Sequence, residues 1–212
     1  TIGTLARAQK EMIVRRLGKN GEALWLYANG LDTSRVAHKD DYTPPKSVGH
    51  GITCRENLEN EDEASKVIVS LSLDIGYKLR KEKLWAGGVS LFIKDEHFMH
   101  SSYQVKLDFP TQDERKIAKE AIALLNKNYD WRTRIRAITV TAISIEQDGA
   151  PVQQDMFFDH EKEDKSKRLG SVINDIKDTY GKGSILPATV LDEKKMPKNR
   201  QEDTVLPGMM HK

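Results

Sequence analysis

Apolar residues recur along this chain with two different periods, and the change from one to the other divides it. Over residues 1–36, Leu5, Met12, Ile13, Leu17, Leu24, Leu26 and Tyr27 recur at roughly helical spacing. "LGKNG" (17–21) reads as a turn between two helices, and "NG" (29–30) ends the second. Residues 37–46, "AHKDDYTPPK", read as a linker, because Pro44 and Pro45 lack backbone donors and favour extended backbone. From Ser47 the pattern changes. "SVGHGITCR" is strand-like. "EDEASKVIVSLSLDIGYKLRK" (61–81) sets Ala64, Val67, Ile68, Leu71, Ile75 and Leu79 on one helical face. "GVSLFIKD" (88–95) alternates with Val89, Leu91 and Ile93 inward, and "SYQVKLDF" (102–109) with Tyr103, Val105, Leu107 and Phe109 inward. "TQDERKIAKEAIALLNK" (111–127) predicts a helix opening on a capping box of Thr111 and Glu114, with Ile117, Ala121, Ile122, Leu124 and Leu125 as its stripe. "RIRAITVTAISI" (134–145) predicts a last strand, with a bulge needed to keep Ile135 and Ile138 both inward.

The order over residues 47–150 is β-α-β-β-α-β. It predicts an α+β, ferredoxin-like domain with both helices on one face of a four-stranded sheet, preceded by a small helical segment. Residues 151–212 form a C-terminal extension: a polar stretch, a short helix (169–180) with Val172, Ile173 and Ile176 apolar, and a tail whose composition from 193 predicts disorder.

Alternation also fixes what the uncovered face of the sheet carries. Ser47, Gly49, Gly51, Thr53 and Arg55 share it with Ser90, Phe92 and Lys94, with Ser102, Gln104 and Lys106, and with Arg134, Arg136, Thr139 and Thr141. This set is small, hydroxyl-bearing and basic, with Phe92 its only large apolar residue. It suits a phosphate backbone: Arg and Lys neutralise charge, hydroxyls donate short hydrogen bonds, and glycine permits close approach. The competing reading is a merely solvated face. Stacking of single-stranded bases is disfavoured, because Tyr103 and Phe109 fall on the core side.

Composition narrows the choice. The chain has 212 residues, 38% hydrophobic and 31% charged, with a net charge of +2, so attraction to nucleic acid must come from a local patch. Its one cysteine, Cys54, excludes an intrachain disulfide and points to a reducing compartment. Strand phase buries Cys54, with no general base beside it. No run approaches the ~18 apolar residues of a membrane span. The opening "TIGTLARAQ" lacks an initiator Met and reads as a cut from a longer protein. His97 and His100, near Asp95 and Glu96, have metal-like spacing but too few ligands. "GKNG" and "GKG" lack the Ser/Thr of a phosphate loop. Trp25, Trp85 and Trp131 read as packing residues.

"KSVGH" after a polar, proline-containing linker resembles the start of the little-finger domain of Y-family translesion DNA polymerases, the DinB/UmuC-like group. "TIGTLA" through "RRLGKNGEALWLYANGLDTSRV" is similar to the latter part of that family's thumb. "VSLFIKDEHF" and "LDFPTQDERKIAKEAIALL" resemble its second strand and second helix, and "IKDTYGKGSILPATVL" the extension of some bacterial members. The resemblance implies an error-prone lesion-bypass polymerase of the bacterial cytoplasm, linked to the SOS response and monomeric, whose thumb and little finger hold the primer–template duplex. Lys46, Ser47 and Gly49 would meet phosphate at the domain entrance, and Arg134 and Arg136 the template backbone. Arg55, Lys94 and Lys106 extend that set. Ser101 and Ser102 stand where the family often has Thr-Arg-Ser; lacking the arginine weakens that contact. His50 is expected to point inward. The family's catalytic carboxylates and two Mg ions belong to the palm, which precedes the thumb, so neither a catalytic residue nor a cofactor is expected in these residues.

"QQDMF" (153–157), in a charged setting, resembles the Gln-x-(Ser/Asp)-Leu-Phe peptide by which bacterial polymerases dock on the sliding clamp. Gln153 would be the polar anchor, Met156 would replace Leu, and Phe157 would be the aromatic anchor, flanked by Asp155 and Phe158. The alternative is that Met156, Phe157 and Phe158 fold back on the domain. A standalone protein-interaction module remains the competing class for the whole chain.

Overall fold

In the computed structural model, which describes residues 1–36, 38, 45–147, 160–191 and 195–196, the chain divides into two units, Thr1–Thr43 and Pro44–Met210. In the first, the helical period becomes α1 (Ile2–Arg7) and α2 (Lys10–Ala28). Gly18, at φ 59 and ψ −145, interrupts α2 inside the predicted "LGKNG" turn. Gly30, at φ 72, ends it. There the Leu31 N–H donates to Leu26 O (2.9 Å) and the Gly30 N–H to Tyr27 O (3.0 Å), which satisfies carbonyls the helix leaves open. Trp25 Nε1 donates to Ala8 O (2.9 Å) and ties the two helices together.

The second unit begins with β1 (Ser47–Leu58), α3 (Glu61–Lys81), β2 (Leu84–Asp95), β3 (His100–Thr111), α4 (Glu114–Asn128) and β4 (Ile135–Gln147). This is the predicted order. The sheet runs β1-β4-β2-β3, every pair antiparallel, so β4 and β2 are central. All six residues of the predicted α3 face are at most 1% exposed. At ~1.5–3 kcal/mol for each large side chain buried, that face anchors the layer. Asn60 caps α3 by accepting from the Glu63 N–H (3.0 Å). The anticipated bulge is present: Lys94 pairs with Ala137, but Asp95 with Ile135, so Arg136 is the extra residue and both isoleucines stay buried.

Two expectations change. The predicted capping box does not form. Thr111 remains in the sheet opposite Ala86, and Asp113 caps α4 instead, accepting from the Arg115 N–H (2.9 Å). Glu114 is taken by Arg80 at 2.5 Å. The C-terminal helix is also longer than predicted: α5 (His160–Tyr180), followed by α6 (Ala188–Leu191). α5 turns Gly170, Asn174 and Lys177 inward and leaves Val172 54% exposed. Arg80 explains why Asn174 is buried. Its guanidinium donates to Asn174 Oδ1 (3.0 and 3.1 Å) and to Gln112 O (3.1 Å), and a Cβ at Gly170 would lie 3.1 Å from Arg80 Nη1. A buried guanidinium requires polar partners, so it selects the polar stripe of α5. In the tail, Met196 joins the core. Lys195 Nζ reaches Glu63 Oε2 (2.8 Å) and Asn57 O (3.1 Å), while its carbonyl accepts from the Arg55 N–H (2.8 Å) on the free edge of β1.

Candidate nucleic-acid interface

Strand register assembles the open face in four rows. Thr53, Ala137, Lys94 and His100 form one. Gly51, Thr139, Phe92 and Ser102 form the next. Gly49, Thr141, Ser90 and Gln104 follow, then Ser47, Ile143, Gly88 and Lys106. The glycines of β1 have an internal reason to be glycine: a Cβ at Gly51 would stand 2.1 Å from Thr139 Oγ1, and one at Gly49 2.8 Å from Thr141 Oγ1. They make room for the threonines of β4 and so keep the surface low. Gly88 does the same for Ile143, whose Cγ1 would lie 2.9 Å from an added Cβ. Ile143 is therefore a second large apolar residue on this face beside Phe92.

Most candidate side chains fall where alternation put them. Lys46, Ser47, Gly49, Arg55, Ser102 and Lys106 are exposed, and Lys94 is half-buried on the same face. Ser101 does not belong with them. It pairs with Ile93, so it shares the helix-covered side, while Ser102 alone faces outward; neighbouring residues of a strand cannot share a face. His50 turns inward as expected, its Nδ1 2.9 Å from Asp74 Oδ2. Gln153, Asp155, Met156, Phe157 and Phe158 lie outside the described residues.

The arginines differ in a way the sequence did not reveal. Arg134 is held by Glu96: its Nε donates to Oε2 (2.9 Å) and its backbone N–H to Oε1 (3.1 Å), with Glu59 Oε1 3.7 Å from Nη1. The Arg134 backbone N–H, opposed by burial and aided by the guanidinium, holds the Glu96 carboxyl below its ordinary value. Arg136, in the bulge, donates instead to the carbonyls of Cys54 (3.0 Å) and Arg55 (3.5 Å), and among the described residues it has no ion pair with a carboxylate. Among the described residues, Arg55, Lys94 and Lys106 stand within ion-pair distance of no carboxylate. No local pattern signals the Glu96 contact, because the partners are 38 residues apart. It also missed His100, which stacks on Phe92 with ring centroids 5.6 Å apart. A cavity of about 280 Å³ beside α5, lined in part by Trp85, Leu169 and Ile173, shares no residue with this face. Among the described residues no helix is long and apolar enough to cross a membrane.

A four-stranded antiparallel sheet with two helices behind it and a low, basic, hydroxylated front defines an α+β domain. Residues 45–156 match the family model described as the impB/mucB/samB family C-terminal domain, and the chain belongs to that family. This bears out the resemblance to the Y-family translesion polymerases. DNA polymerase IV of Acetivibrio thermocellus is 32% identical over 194 residues, covering 92% of this chain and 49% of that protein. DNA polymerase IV of Desulfatibacillum aliphaticivorans is 28% identical over 196 residues, 91% of this chain and 48% of that protein. That of Bacillus anthracis is 30% identical over 183 residues, 85% and 43% respectively. The chain spans about half the length of the curated relatives it matches.

Proposed function

We propose that this chain is the duplex-gripping part of a bacterial translesion DNA polymerase, holding primer–template DNA through its backbone and tethering the enzyme to the sliding clamp. The observation that supports the grip is the front of the sheet, where Arg55, Lys94 and Lys106 rise from a floor of threonines, serines and glycines and, among the described residues, meet no carboxylate at ion-pair distance. Cations of this kind bind phosphate irrespective of sequence, and the hydroxyls fix position without reading bases. Nucleotidyl transfer and its two Mg ions belong to the part of the parent protein outside this chain. "QQDMF" supports the clamp as partner through its apolar pair Met156 and Phe157 after a polar anchor.

The test is titration of the chain with a fluorescent primer–template duplex at several salt concentrations. Affinity should fall steeply with salt. Arg55→Ala with Lys106→Ala should lower the log–log slope by about two, since each phosphate contact contributes about 0.9. Arg134→Ala should change it less, because Glu96 already neutralises that charge. No binding at low salt, or a slope untouched by the double substitution, would remove the open face as a DNA site. For the tether, a peptide of residues 150–160 should bind the clamp and lose binding with Gln153, Met156 and Phe157 replaced by Ala; equal binding by both would end that part of the reading.

A further inference from the structure

The tip of the β2–β3 hairpin carries a large ring where a turn favours glycine or asparagine. Phe98 sits at φ 65, a left-handed conformation that bulky side chains rarely adopt. Burial does not account for it: Phe98 is 68% exposed, and Met99 beside it 70%. Nor is the turn loose. Asp95 Oδ1 accepts from the backbone N–H groups of His97 and Met99 (both 2.9 Å), the Phe98 N–H donates to Asp95 O (3.1 Å), and the Asp95 N–H to Met99 O (2.9 Å). Backbone strain held by a rigid turn around an exposed side chain is the pattern of a side chain kept for contact.

Its surroundings indicate the chemistry. Lys94 Nζ lies 5.8 Å from the Phe98 ring centroid. Lys94 pairs across the strands with His100, whose ring stacks on Phe92 at an interplanar angle of 26°. One corner of the open face thus holds a cation beside one ring, Phe98, and next to a stacked pair of rings, Phe92 and His100, although alternation alone supplied only Phe92. Aromatic faces beside a cation suit a nucleobase with its phosphate. Bases inside a duplex are already stacked on one another, so the base in question is an unpaired one. The geometry points to this corner as a stacking site, centred on Phe98, for an unpaired base of single-stranded DNA continuing from the duplex on the sheet. The inference rests on the open face being a DNA site.

Three fluorescent DNAs test it: a blunt duplex, the same duplex with a single-stranded extension, and the same with an abasic extension, which keeps the phosphates and removes the bases. The chain should bind the base-bearing extension roughly tenfold tighter than the abasic one, the scale of one stacked base. Phe98→Ala should abolish that gap, and Phe98→Trp should preserve it. Phe98→Gly relaxes the backbone, so it should melt no lower than the parent while losing the gap, which separates stacking from folding. Blunt-duplex affinity should be the same in all of them. Equal binding of the two extensions, or a gap that survives Phe98→Ala, overturns the stacking site; salt-dependent binding of the blunt duplex would then leave the grip standing. Absence of binding to all three DNAs overturns both and turns the tip toward a protein partner.

Discussion

On the helix-covered face of the sheet, Val89, Leu91 and Ile93 of β2 and Ile138, Val140 and Ala142 of β4 are at most 1% exposed. Their strand neighbours Ser90, Phe92, Thr139 and Thr141, on the other face, all keep partial exposure. The same two strands build both surfaces, yet different forces select their residues. Behind the sheet, packing against α3 and α4 sets volume, and each position is fixed by its neighbours. In front, the register rows set height: glycine beneath threonine, with cations spaced along the rim. The first face holds the fold, and the second is the face proposed to meet DNA.

Four substitutions test this contrast. The largest effect belongs to the covered face: Ile138→Ala should cost about 2–5 kcal/mol in chemical denaturation, through lost burial and the cavity left behind. Next is Gly51→Ala, which drives a methyl into Thr139 and should cost about 1–3 kcal/mol. Adding Thr139→Ala should recover part of that loss. Recovery would show that the glycine answers to its neighbour across the strand; additive losses would return it to a direct role at the phosphate. Lys106→Ala should change stability by less than about 0.5 kcal/mol while weakening duplex binding, the converse of Ile138→Ala. The smallest effect is the acid response of the helical layer. Burial pushes the Asp113 carboxyl up, but hydrogen bonds from Arg115 and Ser166 outweigh it and leave it below the ordinary 3.8. A carboxyl lowered on folding stabilises fully above its unfolded value, and that contribution is lost as the pH falls through the lower folded value. Below about pH 4, therefore, α5 should loosen, and Asp113→Asn should flatten the pH dependence of melting in that window. An unchanged profile would assign the acid response to other carboxyls, such as Glu63, which burial likewise pushes up and which Lys195 with backbone and Asn60 contacts brings below its ordinary value.

How much was legible varies with the range of the cause. The α3 face, the strand phases and the Arg136 bulge were read correctly, because each depends on residues a few positions apart. The α4 cap was misread because Glu114 answers to Arg80, 34 residues away, and not to Thr111. The burial of Asn174 on α5 was not legible for the same reason: it answers to Arg80, 94 residues away. At the interface, Lys106 and Ser102 followed from alternation. The neutralisation of Arg134 and the gathering of Phe92, His100 and Phe98 around Lys94 did not.

Element order over residues 47–147, the side of each strand that meets the helices and the family are all legible in the chain. Local period and short motifs carry that information, since backbone geometry repeats every two or 3.6 residues wherever the chain goes. Folding settles that β4 and β2 are central, that Asn174 of α5 is buried, that Arg134 pairs with Glu96 and what stands at the hairpin tip. Those outcomes depend on strand register and on ion pairs between residues far apart in the chain. Such charges and rings meet only once the sheet has closed.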